Sequence, residues 1–276
     1  MRGILQLELV KWSSGRRNLL YVLLPNLYPI AFTLFLIGTI FSRSQTVLAL
    51  LGAGLATFLL VHQLNGFVMY PALLLLRCSE TWAGEEAERT LRTLVLTQVP
   101  RWKILVAKVL MLTASFVLAH LVFFAIFIVD TLLIRWSVPP EIWAKIPIDV
   151  GNAVYCLVAY TAVFAVALAV FSLFFSWISL LASRLTTVVL LSMTILVAVW
   201  WVIPSLVEQV RPNTTIAKCV FTRPYGELIS IDTLLPMIKK DASTGNLSTI
   251  ARDLAANGVV LGLLCLVTLR RKEFLD

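Results

Sequence analysis

Long apolar runs separated by short polar ones dominate this chain. Six runs are long enough to cross a hydrocarbon core of about 30 Å, which takes roughly 20 helical residues. They are Leu19–Phe41, Thr46–Leu76, Ile104–Ile134, Val150–Ser176, Leu185–Ile203 and Ile250–Leu269. The pattern predicts an all-α integral membrane protein of six transmembrane helices, one domain over residues 1–276. Ahead of the first run, within residues 1–18, Leu5, Leu9 and Trp12 share one helical face while Gln6, Glu8 and Lys11 fall largely on another. That predicts an interfacial amphipathic helix lying in the membrane surface. Pro25 and Pro29 should kink the first span or break its opening turns. No small-residue cleavage site follows that span, so it is expected to be retained, with the chain starting at or near Met1.

One segment breaks the apolar pattern. Residues 84–103 read GEEAERTLRTLVLTQVPRWK, within a polar hairpin over 77–103. Ala83, Ala87, Leu91, Leu94, Val95 and Val99 recur at helical spacing and form one apolar stripe. Glu85 with Arg89, and Glu88 with Arg92, are carboxylate-first pairs in the favourable i,i+4 order. Gly84 followed by Glu85 and Glu86 resembles a helix start, where negative charge suits the macrodipole. Pro100 should end that helix, and Arg101, Trp102 and Lys103 should anchor span three at the interface. A helix of this kind either lies on headgroups or docks into a groove of a partner.

The linker 204–249 is the largest piece outside the runs and is too short to bury a core of its own. Leu228, Ile229, Ile231, Leu234 and Leu235 in it suit one or two short amphipathic helices resting on the bundle. Its Asn213 and Asn246 triplets are formal glycosylation sequons, a pattern common by chance.

Composition excludes a soluble domain: 59% of residues are hydrophobic, 14% are charged, and mean hydropathy is +0.91. The net charge of +8 would suggest nucleic acid in a soluble protein, but here the cations flank the spans and none is implied. They gather before span one, between spans two and three, and in the tail, which the positive-inside tendency makes cytoplasmic. Both termini are therefore expected in the cytoplasm, with 204–249 an extracytoplasmic loop. The expected location is the plasma membrane, a bacterial inner membrane first. Four scattered cysteines without a CxxC pair read as lone thiols and imply no metal.

Polar residues inside the runs are candidates for function because they are costly at depth. His62, Asn65 and Thr194 could line a substrate path. For His62 and Asn65 the weightier alternative is hydrogen bonding between helices. Asp130 lies five positions before Arg135, which suggests a local interfacial pair. No HExxH or GxSxG motif occurs, so no catalytic residue is assigned, and no GxxxxGK[ST] loop is present to hold ATP.

The stretch EEAERTLRTLVLTQVPRWKILVAK resembles the intracellular hairpin of permease subunits of type-2 ATP-binding-cassette (ABC) exporters. The positions that carry the likeness are Glu85, Thr90, Leu91, Leu94, Thr97, Arg101, Ile104 and Lys108. The amino-terminal helix resembles that family's connecting helix, and residues 171–190 resemble its passage from fourth to fifth span. Arg89 where a glycine is usual, and Gln98-Val99-Pro100 before the arginine, depart from the pattern. The resemblance implies a coupling helix contacting a separate P-loop ATPase through Glu85, Glu88, Arg89, Leu91, Arg92, Leu94, Val95 and Arg101. It also implies ATP and Mg on that partner, and a second permease subunit. The alternative is a polytopic stand-alone transporter or scaffold.

Overall fold

The computed structural model describes residues 2–14, 16–41, 58–87, 99–137, 150–182, 185–197, 222–238 and 246–271. Helices account for nearly all of these residues, and no strand occurs among them. The elements are α1 (Arg2–Ser14), α2 (Arg16–Leu23), α3 (Leu27–Phe41), α4 (Phe58–Gly84), α5 (Arg101–Ser137), α6 (Val150–Leu181), α7 (Leu185–Val197), α8 (Thr222–Ile229), α9 (Ile231–Ile238) and α10 (Leu247–Arg271). Five helices among the described residues are long and apolar enough to cross a membrane: Asn18–Gly38, Phe58–Gly84, Arg101–Ser137, Val154–Leu181 and Leu247–Arg271. Of the expected fifth span, α7 accounts for 13 residues, and 198–203 lie outside the described residues.

The prolines act as their backbone chemistry dictates. A 3-10 turn, Leu24–Asn26, separates α2 from α3. Pro29 lacks the N–H that would bond the carbonyl of Pro25 one turn back. Asn65 of α4 supplies the missing donor, its Nδ2 lying 2.8 Å from Pro25 O. The adjacent Asn26 donates to Val22 O at 2.8 Å and, across the helix interface, to Ala119 O at 3.0 Å. A broken first span is thus stitched to both of its neighbours by amide side chains.

α6 is the centre of the bundle. Tyr160, Phe164, Phe171 and Phe175 on it are fully buried against α4, α5 and α10. The short pair α8 and α9 does more than rest on the bundle. Tyr225, Leu228, Ile229 and Leu234 enter the main core, and the Tyr225 hydroxyl donates to Gly66 O at 2.8 Å. Gly66 lies in a π-helical turn of α4, Asn65–Met69. A Cβ on Gly66 would come within 2.9 Å of Ile229 Cγ2, so glycine is what permits this approach.

One expectation changes. α4 runs without a break into Glu85–Ala87 through a second π turn, Glu80–Gly84, so no new helix begins at Gly84 and Glu85 extends the helix just past the candidate span. In α1 the polar face is the one turned to the bundle. Glu8 is buried against the bundle while Leu9 and Val10 are exposed. In a bilayer, lipid receives the apolar face and the protein receives the polar one.

An ion cluster at one end of the bundle as the candidate functional site

α5 is 37 residues long, about 55 Å at the helical rise, so its ends extend past a single hydrocarbon core. Near its first end Lys108 interrupts the apolar run and is fully buried. A buried ammonium must be paired to be tolerated. Lys108 Nζ lies 2.6 Å from Glu85 Oε2 and 3.4 Å from Glu8 Oε1. It also donates to Thr81 O at 3.3 Å and sits 5.3 Å from the centroid of the Trp82 ring. Lys11 closes the arrangement, 2.9 Å from Glu85 Oε1 and 4.0 Å from Glu8 Oε1.

Two lysines and two glutamates thereby tie three elements together: α1 through Glu8 and Lys11, the extension of α4 through Glu85, and α5 through Lys108. Burial alone would raise the Glu85 carboxyl. The Lys108 charge, with hydrogen bonds from Lys108 and Lys11, outweighs burial and holds it below its ordinary value.

A second layer adjoins the first. Arg77 pairs with Glu80 at 3.2 Å, and the Tyr21 hydroxyl donates to the same carboxylate at 3.1 Å. The Arg77 guanidinium carbon lies 5.5 Å from the Tyr21 ring centroid. Both layers line one polar cavity of about 170 Å³ with Trp12, Met111 and Ser115. Below it, Trp82 donates to Ser176 Oγ at 2.8 Å, fixing the π turn against α6. Among the described residues no group of three His, Cys, Asp or Glu is placed to hold a metal.

The candidate residues from the sequence are scattered. Glu85 is in the cluster. Arg101 is at the start of α5, where one Nη donates to Leu269 O at 2.7 Å and Arg270 O at 2.9 Å, satisfying carbonyls at the end of α10. Glu88, Arg89, Leu91, Arg92, Leu94 and Val95 lie outside the described residues. His62 and Asn65 are buried and hydrogen-bond between helices: His62 Nε2 is 2.7 Å from the Tyr160 hydroxyl, and Asn65 meets Pro25 as above. Thr194 is exposed, and its hydroxyl bonds Leu190 O of its own helix at 2.9 Å. Asp130 is buried, and the Thr33 hydroxyl of α3 donates to Pro29 O of its own helix at 3.0 Å.

His120 packs as an aromatic ring, its centroid 4.1 Å from that of Phe164 at an interplanar angle of 20°. With His62 5.5 Å away it belongs to an aromatic layer shared by α4, α5 and α6.

Glu8, Lys11 and Lys108 were not among the sequence candidates. Lys108 carried a signal, since it and Asp130 are the two charged residues between Ile104 and Ile134. A lysine inside a span must find a carboxylate or reach the interface.

No family model matches the chain, and no curated protein matches it.

Proposed function

We propose that this chain is the membrane-spanning permease subunit of an ABC exporter, working with a separate P-loop ATPase and a second permease subunit. The observation that carries the reading beyond the sequence resemblance is the ion cluster. Within the candidate coupling hairpin 77–103, residues 88–98 are flanked by two helix ends held by charge. On one side Glu85 is locked to Lys108 and α1; on the other Arg101 is fastened to the end of α10. A push on that segment would therefore be passed to α4, α5, α10 and the surface helix together.

In this reading the bundle has six spans, both termini face the cytoplasm of a plasma membrane, and 204–249 faces outside. Leu91, Leu94 and Val95 seat in the ATPase, and Glu88, Arg89 and Arg92 guide the contact. ATP and Mg bind on the partner. Transport follows if the ATP-bound ATPase has different affinity for two permease conformations, because only differential binding shifts a population. The apolar bundle tilts the cargo toward lipid-like or amphipathic molecules.

The test is a mild-detergent pull-down of the tagged chain from its native membrane with ATPase activity measured on the eluate. Co-elution of a P-loop ATPase that is lost in Leu91→Asp supports the proposal. Clean elution without ATPase from wild-type membranes overturns it.

A further inference from the structure

Four cations lie at the end of the bundle where α5 begins and α10 ends. The Arg101 guanidinium is fastened to the carbonyls of Leu269 and Arg270. Ile104 and Leu105 of α5 pack with Cys265 and Leu269 of α10 in one buried cluster beneath it. This brings Arg101 and Lys103 to the same end as Arg270 and Arg271. Arg270 and Arg271 are exposed, and Trp102 is 49% exposed, with Lys103 Nζ 5.7 Å from its ring centroid.

Their position along the bundle is at the bilayer boundary. α10 leaves Val259, Val260, Leu263 and Val267 exposed, a surface that suits acyl chains, and the arginines follow directly after it. An exposed Trp among Lys and Arg is the residue set of the headgroup region. The plainer account, that cations suit a helix C-terminus, covers Arg270 and Arg271. It does not cover Lys103, which lies in the first turn of α5, a turn with no acidic residue. A cation there is disfavoured by the helix dipole, and a nearby anion would offset that cost.

We propose that Arg101, Lys103, Arg270 and Arg271 form a seat for the phosphate headgroup of an anionic phospholipid, with Trp102 at the level of its glycerol and its acyl chains in the bilayer beside α10. The occupant is fixed by charge complementarity at the membrane boundary. The inference requires only that the chain spans a membrane, so it stands or falls separately from the exporter reading.

The full chain, reconstituted in phosphatidylcholine nanodiscs with and without phosphatidylglycerol, tests it by counting retained lipid in native mass spectrometry. A cation near the headgroups favours anionic lipid by about fivefold, so Lys103→Gln with Arg271→Gln should lower the preference for phosphatidylglycerol about 25-fold. Lys103→Arg should keep it, as should Arg252→Gln at the far end of α10. Raised salt should weaken retention. Unchanged retention in the double variant overturns the proposal. Equal loss in Arg252→Gln also overturns it, because the effect would then be net charge. Displacement of the lipid by millimolar inorganic phosphate would make this a site for a soluble anion and would likewise reject a lipid seat.

Discussion

The side-chain amide of Asn65 replaces a backbone N–H that Pro29 removed from the chain: its Nδ2 is 2.8 Å from the carbonyl of Pro25. The two helices are joined at a buried point by a bond that one proline creates the need for. Asn65→Leu leaves that carbonyl unsatisfied and should cost about 1–3 kcal/mol. In a Pro29→Ala background the backbone N–H returns, so the same substitution should cost clearly less. Denaturation of the four proteins in one detergent measures the coupling. Equal cost in both backgrounds would mean that Asn65 acts through packing and not through Pro25.

The Lys108 ammonium is completely buried between two carboxylates. Removing one partner of such a group costs about 3–5 kcal/mol, because the remaining charges stay out of water. Lys108→Met should therefore destabilise the bundle by about that amount, although methionine matches the stem in shape. Adding Glu85→Gln to Lys108→Met should recover part of the loss, since one of the two carboxylates deprived of Lys108 is gone, although Glu85 keeps Lys11 at 2.9 Å in the single variant. Comparing thermal midpoints of the singles and the double checks this, and strictly additive losses would show that the pair is not energetically coupled.

The same pair sets a pH dependence with a definite sign. The Glu85 carboxyl is held below its ordinary value of 4.5. Its contribution is thus complete above that value and is lost as pH falls through the lower folded-state value. The stability difference between wild type and Glu85→Gln should stay constant from neutral pH down to about 4.5 and shrink below it. A difference that shrinks already on approach from neutral pH would mean a raised carboxyl, and so no effective partnership with Lys108.

Local chemistry was legible in the sequence, and partnership across the fold was not. Pro25 and Pro29 announced a broken first span because a missing N–H acts within one turn. The helical character of residues 2–14 was also readable. That Glu8 on its polar face would be buried against the bundle was not, because its partner Lys108 lies on α5, a hundred positions along the chain. Gly84 read as a helix start because glycine followed by acids is a common boundary, yet the helix passes through it in a π turn whose Trp82 is fixed to Ser176 of α6. Glu85 was singled out for a partner outside the chain. Its pairing with Lys108 and Lys11 depends on how α1 and α5 pack, which no local pattern encodes. Of the coupling stripe, Leu91, Leu94 and Val95 lie outside the described residues.

The contact of α8 with α4 gives the last prediction. Gly66 allows Ile229 to approach the π turn, and a methyl at this position would meet the Ile229 side chain at 2.9–3.2 Å. Both residues are fully or nearly fully buried, so the neighbour has little room to yield. Gly66→Ala should destabilise by about 1–3 kcal/mol through overpacking, despite the better helix propensity of alanine. Ile229→Val trims the Cδ1 and leaves the Cγ2, the closest atom; Ile229→Ala removes both and should relieve most of the strain that Gly66→Ala introduces. Tyr225→Phe tests the adjoining link, since loss of its bond to Gly66 O should cost about 1 kcal/mol. Melting curves of Gly66→Ala alone and with Ile229→Ala provide the check. If Gly66→Ala proves neutral or stabilising, α8 does not dock on α4 at this glycine, and the buried placement of the α8–α9 pair fails with it.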